Sequence, residues 1–175
     1  MNVAKKIDWV TPKEFEAMEK DERFTYELID GVVMMSPSPG REHQSISGKM
    51  YIALHTALNQ TDCQPLYEYD ITAGDNTFKP DPMVFCDEES ELPEIVFEII
   101  SPTSRRRDLQ IKVAKYEEAG IKEYWIVDPD IKTITVHDYI NQTVETYTIG
   151  QTIQSKAQPE IILAVADISR TKGTI

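Results

Sequence analysis

The chain of 175 residues is 41% hydrophobic, so it is long enough for one domain with a real core and too apolar for intrinsic disorder. Its net charge of −12 argues against loose, non-specific binding to DNA, because contacts to phosphates need lysine and arginine. No apolar run approaches the ~20 residues that cross a membrane, and the N-terminus lacks the apolar segment of a signal peptide, so we expect a cytoplasmic protein with no membrane partner.

The first third of the chain predicts a helix, a hairpin and a second helix. Thr11, Pro12 and Glu14 have the pattern of a helix start with a capping box. Asp30-Gly31 separates two apolar runs and predicts a two-residue hairpin turn. Residues 41–59 contain no proline, and their apolar side chains recur every four positions, as on one face of a helix. These side chains are Ile46, Met50, Leu54 and Leu58.

The middle of the chain predicts three strands and a helix. Residues 65–73 read as one strand that turns at residues 74–76, and residues 83–86 form a short strand. Residues 95–100 are almost continuously apolar, as expected for a central strand that is covered on both faces. The helix that follows should end near Ala119, with Gly120 just beyond its end.

The last third predicts a further buried strand and a hairpin. Residues 124–127 form the strand, and a turn at residues 128–130 follows it. Residues 133–139 and 143–148 alternate in the way that two hairpin strands do, while residues 160–166 fit an edge strand or a short helix. Because there is no internal repeat and no linker, we expect one mixed α/β domain over residues 1–175.

The two cysteines give no sign of a shared role. Cys63 and Cys86 stand apart in the sequence and lack CxxC spacing. The sequence therefore predicts neither a zinc site nor a disulfide framework, and favours two buried free thiols.

Two carboxylates stand in unusual surroundings. Strand alternation places Glu98 on the same face as Val96 and Ile100, where a carboxylate must be paired, protonated or bound to a cation. A structural ion pair with a lysine or arginine of the next helix explains Glu98 equally well. Asp81 is held extended between two prolines and precedes a short strand that could pair beside the Glu98 strand, although an exposed loop aspartate is the plainer interpretation.

Lys112 can be placed by geometry, on the supposition that the helix begins near Asp108. Two strand residues beyond Glu98 rise ~7 Å, and four helical residues return ~6 Å, so Lys112 comes back level with Glu98. A solvated surface lysine is the commoner fate of such a residue. If they converge, Asp81, Glu98 and Lys112 make a divalent-metal site that can cut a phosphodiester bond.

Three further features lie near this predicted site. Glu27 could turn inward from the first strand as an additional acid, and an outward orientation fits as well. His43 opens the second helix and could donate to phosphate or act as a base, although a capping or surface role is the favoured interpretation. The dense basic run of residues 105–107 could contact phosphate, and a solvated loop is somewhat favoured over that contact.

Several motifs follow one another in a fixed order between about Thr11 and Tyr139. They are Tyr26-Glu27-Leu28-Ile29-Asp30-Gly31, Ser36-Pro37 with His43, Pro80-Asp81, Glu98-Ile99-Ile100-Ser101-Pro102-Thr103-Ser104 with Asp108 and Lys112, and Tyr116 with Gly120-Ile121-Lys122-Glu123-Tyr124-Trp125-Ile126-Val127-Asp128-Pro129. Together they resemble the Uma-type restriction endonuclease family, which belongs to the PD-(D/E)XK phosphodiesterase superfamily.

The resemblance implies a restriction-endonuclease-like core, in which helices flank a mixed central sheet. It also implies a DNA endonuclease site that depends on Mg²⁺ or Mn²⁺, with Asp81 as the first acid of the motif and Glu98 as the second. Ile100 stands where the plain motif has lysine, and Lys112 is the candidate that replaces it. Glu27 resembles the additional acidic position of the superfamily.

A mechanistic hypothesis follows from these assignments. Asp81 and Glu98, with Glu27 as a further candidate and a backbone carbonyl such as that of Ile99, would hold the cation while waters fill the remaining positions. A symmetric DNA target would call for a homodimer. Two alternatives remain: a catalytically decayed nuclease fold that binds DNA or protein, and a metal-dependent hydrolase of small phosphoesters.

Overall fold

The computed structural model describes residues 9–101, 105 and 107–166, which form two larger sheets, one small sheet and three α-helices. No helix within these residues is long and apolar enough to cross a membrane. The helices are α1 (Pro12–Glu16), α2 (Arg41–Ala57) and α3 (Lys112–Glu118), and a π-helical segment, Arg107–Ile111, leads into α3. The strands are β1 (Phe24–Ile29), β2 (Val32–Pro37), β3 (Gln64–Tyr67), β4 (Ile71–Ala73), β5 (Asn76–Phe78), β6 (Pro82–Phe85), β7 (Ile95–Ile99), β8 (Glu123–Asp128), β9 (Thr133–Asp138), β10 (Thr143–Thr148), β11 (Thr152–Gln154) and β12 (Ile162–Ala164).

The central sheet has six strands in the order β10-β9-β8-β7-β6-β3 and is mixed. Strands β7 and β8 pair in parallel, whereas all other neighbours are antiparallel. Strand β7 is buried at every residue, which confirms the interpretation of its apolar run as a central strand. The predicted mixed sheet flanked by helices is therefore confirmed.

The two faces of β7 belong to different halves of the core. Phe97 and Ile99 lie in the same apolar cluster as the buried stripe of α2, whose four predicted residues are all at most 2% exposed. Val96 and Ile100 pack in the other cluster with Tyr116 of α3. The side chain of Glu98 shares the face of Val96 and Ile100, so it points toward α3, as the alternation predicted.

The second sheet has four strands in the order β2-β1-β5-β4. Its hairpin turns at Asp30 and Gly31, which both have positive φ, as the sequence predicted. Strand β1 buries its last three residues, Glu27 to Ile29. This sheet thus brings one acidic side chain, Glu27, toward the interior.

One predicted strand needs correction, and one alternative that the sequence left open is decided. Residues 65–73 do not form one strand, because the chain breaks after Tyr67, takes a positive φ of 51° at Glu68 and divides into β3 of the central sheet and β4 of the second sheet. Residues 160–166 contain the short strand β12, which pairs with β11 in a separate two-stranded sheet. Strand β11 was not predicted, since three residues carry too little periodicity to read.

The cysteine prediction is wrong, because Cys63 and Cys86 form a disulfide. Antiparallel pairing of β3 with β6 sets Gln64 opposite Phe85. The residues just outside this pair, Cys63 and Cys86, therefore face each other, with their Cα atoms 3.9 Å apart. A separation of 23 residues in the sequence gives no hint of this contact.

The helix after β7 ends as predicted. Gly120 has a φ of +84° and donates its N–H to the carbonyl of Glu117, while Ile121 donates to Tyr116. The supposed N-cap at Asp108 is wrong, because Asp108 lies within the π-helical segment and the N-cap residue of α3 is Ile111.

Candidate active site

A cavity of about 590 Å³ opens between the two larger sheets. Strand β1, the first turn of α2, the end of β7 and the start of α3 all contribute to its lining. The four side chains that the sequence singled out as catalytic all line this cavity: Glu27, Asp81, Glu98 and Lys112.

Strand register brings Asp81 beside the Glu98 strand. Because β6 runs antiparallel to β7 with Met83 opposite Val96, the residue just before β6 lies level with Glu98. Oδ2 of Asp81 accepts a hydrogen bond of 2.8 Å from the backbone N–H of Ile99. Asp81 is buried, so it is no exposed loop aspartate.

Glu98 and Lys112 form a buried ion pair. Nζ of Lys112 lies 2.5 Å from Oε1 of Glu98, and the hydroxyl of Tyr116 donates to the same oxygen at 3.0 Å. Lys112 and Tyr116 stand four residues apart, hence on one face of α3. The comparison of strand and helix rise predicted this contact between Lys112 and Glu98. The ion pair that was considered as a purely structural alternative is present as well.

Glu27 turns inward and shares the same lysine. Its Oε1 lies 2.7 Å from Nζ of Lys112 and accepts a 3.2 Å hydrogen bond from the backbone N–H of Lys79. The exposed fractions are 2% for Glu27, 5% for Glu98 and 2% for Lys112. One ammonium group thus joins carboxylates from two different sheets.

His43 belongs to the site, which corrects its interpretation as a capping or surface residue. Its Nε2 lies 3.1 Å from Oδ2 of Asp81, and its side chain is 17% exposed. Burial of the ring lowers the pKa of His43, but the hydrogen bond and charge of Asp81, the Ile99 backbone and the charge of Glu68 outweigh burial and raise it above the ordinary value. The sequence did hold a signal, because His43 precedes Ile46 and Met50 by three and seven residues and so continues the buried stripe of α2.

Arg105 is the residue of the basic run whose side chain the structure describes. Arg105 pairs with Asp128 at 2.7 Å and with Asp130 at 3.3 Å, which anchors the segment after β7 to the end of β8. Burial raises the pKa of Asp128, but the hydrogen bonds from Arg105 and from backbone N–H groups dominate and hold it below the usual value. Arg106 and the side chain of Arg107 lie outside the described residues, so a phosphate contact by this run stays a prediction.

The donor set can be tested for a divalent cation. Among the described residues, no three His, Cys, Asp or Glu side chains converge closely enough to hold an ion by themselves, and Lys112 lies between the two glutamates. The hydrogen bond from the N–H of Ile99 and the close contact from Nε2 of His43 both fall on Oδ2 of Asp81, which leaves Oδ1 for another ligand. The site holds three carboxyl groups and one lysine side chain. Two carboxylates, a carbonyl and water are a hard-oxygen set that fits Mg²⁺ or Mn²⁺.

Comparisons with known proteins bear on the fold and the family. The fold is similar to that of a crystal structure described as a putative nuclease belonging to DUF820 from Anabaena variabilis ATCC 29413, with a TM-score of 0.79. The two chains are 22% identical, and the match covers 91% of this chain and 97% of that one. No curated protein matches the chain. A model of the Uma2 family, described as "Putative restriction endonuclease", matches residues 12–166. Because this match spans most of the chain, the protein belongs to the Uma2 family, as its motifs predicted.

Proposed function

We propose that this Uma2 protein is a divalent-metal-dependent endonuclease that hydrolyses phosphodiester bonds in DNA. Membership of a nuclease family supports the class of reaction. The observation that carries the proposal is the convergence of Asp81, Glu98 and Lys112 in one cavity, on paired strands and on the helix that packs against them.

In this proposal Asp81 and Glu98 would hold one Mg²⁺ or Mn²⁺ together with the carbonyl of Ile99. When bound, the cation supplies Lewis-acid chemistry: it polarises the scissile phosphate and lowers the pKa of a water molecule. The protein supplies orientation. Asp81 is fixed through Oδ2 by the N–H of Ile99, and Glu98 is fixed through Oε1 by Lys112 and Tyr116.

Lys112 takes the part of the lysine that the motif lacks at position 100. Its ammonium is buried between Glu27 and Glu98, so its position is fixed before any substrate enters. A positive charge held in place in a site of low dielectric stabilises charge that develops on a phosphate without further reorganisation. Glu27 shares this lysine and thereby keeps the ammonium level with Glu98.

A symmetric DNA target would be cut by a homodimer, with one site for each strand. The net charge of −12 makes the cation important for binding, since phosphates meet mostly carboxylates on this protein. A catalytically decayed fold is the second candidate. It is favoured by the absence, within the described residues, of three converging metal-ligand side chains.

Cleavage assays on purified single variants test the proposal. Asp81→Asn and Glu98→Gln should each abolish Mg²⁺-stimulated cleavage of plasmid DNA while the far-UV circular dichroism spectrum stays unchanged. Matched controls are Asp75→Asn and Glu91→Gln, which change exposed acids away from the cavity and should cleave like the parent. Parental activity in Asp81→Asn would contradict the proposal.

Calorimetric titration with Mn²⁺ separates the two candidates. An active nuclease should bind Mn²⁺ at millimolar concentration or below, and Asp81→Asn should remove that binding. Absence of binding together with retained affinity for DNA would favour the decayed fold.

A further inference from the structure

We propose that His43 is a positioning residue, which holds Asp81 by one carboxylate oxygen so that the other remains free for the cation. The inference rests on the proposed metal-dependent function and deepens it. His43 does not contact the cation in this arrangement, because its Nε2 is directed to Oδ2 of Asp81.

The geometry at Asp81 is asymmetric. Oδ2 receives two donors from different elements: the N–H of Ile99 at 2.8 Å from the end of β7, and Nε2 of His43 at 3.1 Å from the first turn of α2. No described residue donates to Oδ1. Two donors on a single oxygen define both the rotation of the carboxylate and the direction in which the free oxygen points.

The backbone alone does not fix this rotation. Asp81 lies between Pro80 and Pro82, so its main chain is restricted, but prolines on either side leave the side-chain torsions open. One hydrogen bond from Ile99 still permits rotation about that contact. The second donor, His43, removes this freedom. Loss of a residue that hydrogen-bonds to a metal-ligating side chain typically weakens metal affinity by about 10- to 100-fold, because the ligand is no longer held in its orientation.

The fold fixes the imidazole itself. Ile46 and Met50, on the same face of α2, are fully buried and anchor the helix beneath the central sheet. Nδ1 of His43 is buried and makes no hydrogen bond to any described residue. The polar contact that orients the ring is therefore the one from Nε2 to Asp81. An N–H at Nε2 is available in the neutral and in the charged ring, so the contact does not depend on titration of His43.

The test is Mn²⁺ binding, measured by isothermal calorimetry on the parent and on four variants. His43→Leu fills the space without a donor and should weaken Mn²⁺ binding by about 10- to 100-fold. His43→Gln places an amide N–H near the position of Nε2 and should restore most of the affinity. His55→Leu, an exposed histidine of the same helix, should bind like the parent. Asp81→Asn should not bind.

The outcomes separate this inference from the proposed function. Equal affinity in His43→Leu and the parent, or equally weak binding in the Gln and Leu variants, would overturn the role of His43 and leave the metal site standing. Failure of the parent to bind Mn²⁺, or undiminished binding by Asp81→Asn, would overturn both. If His43→Leu does not fold, His43→Asn takes its place, because its shorter amide cannot reach Oδ2.

Discussion

Replacement of Lys112 by methionine is the sharpest test of the buried network. Methionine is similar to lysine in length and in helix propensity, so Lys112→Met removes the charge and changes little else. The ammonium lies 2.5 Å from Glu98 and 2.7 Å from Glu27 and is almost fully buried. The variant therefore removes the ammonium group that contacts both buried carboxylates.

The expected loss is large compared with the stability of a small protein. Removal of one partner from a buried ion pair costs about 3–5 kcal/mol, and Lys112 serves two carboxylates, so we expect about 5 kcal/mol. Proteins of this kind are stable by about 5–15 kcal/mol, so the variant should lose at least about a third of its stability at 25 °C. Glu27→Gln and Glu98→Gln, combined with Lys112→Met, remove all three charges and should recover most of the loss.

Urea unfolding followed by far-UV circular dichroism measures these differences through the linear dependence of the unfolding free energy on denaturant. Lys115→Met is the matched control, because it alters the same helix and a lysine paired with the exposed side chains of Asp30 and Glu118. The control should lose less than about 1 kcal/mol. A loss in Lys112→Met no greater than that in Lys115→Met would refute the reasoning that the shared ammonium stabilises both carboxylates.

Three further variants each change one side chain and are measured by the same unfolding assay. Tyr116→Phe keeps the ring but removes the hydroxyl that donates to Glu98, and should cost about 1–2 kcal/mol; an unchanged midpoint would contradict this. The buried carboxylate of Glu123 accepts hydrogen bonds from four donors, and Glu123→Gln places an NH₂ group among them, so the free energy of unfolding should fall by about 3 kcal/mol. A fall below about 1 kcal/mol would show that the donors find other partners. Arg105→Gln should cost at most about 1 kcal/mol at neutral pH, because the arginine side chain is 37% exposed. The pKa of Asp128 is held below its unfolded value of about 3.9, so this stabilisation exists above that pH and is lost as the pH falls through the folded pKa. A difference between parent and Arg105→Gln that persists to the lowest pH would contradict the assignment.

Local patterns predicted the parts of the fold that local rules govern. The four-residue spacing from Ile46 to Leu58 became the buried stripe of α2 because a helix repeats every 3.6 residues. The comparison of strand and helix rise anticipated the contact of Lys112 with Glu98, although Arg107–Ile111 is π-helical and α3 begins only at Lys112. Motif order then identified the family, which the match over residues 12–166 confirmed.

Contacts that depend on strand pairing were beyond local reasoning. The disulfide between Cys63 and Cys86 follows from the register of β3 with β6, and that register is set by the whole sheet. Glu123 was not singled out from the sequence, yet its carboxylate is fully buried and accepts hydrogen bonds from the backbone N–H groups of Lys156 and Ala157. Neither partner lies within thirty residues of Glu123 in the sequence.

The energetics of the buried network favour the catalytic proposal over the decayed fold. Buried ion pairs are on average no more stabilising than apolar side chains of similar volume, because desolvation offsets the attraction between the charges. A fold kept only as a scaffold would gain nothing from enclosing Glu27, Glu98 and Lys112, and the uncharged combination of Gln, Gln and Met should serve it equally well. Chemistry at phosphate needs those charges in fixed positions. The combined variant should therefore recover most of the parent's stability and still fail to cleave DNA. Retention of both stability and DNA cleavage would remove the energetic reason to regard the site as catalytic.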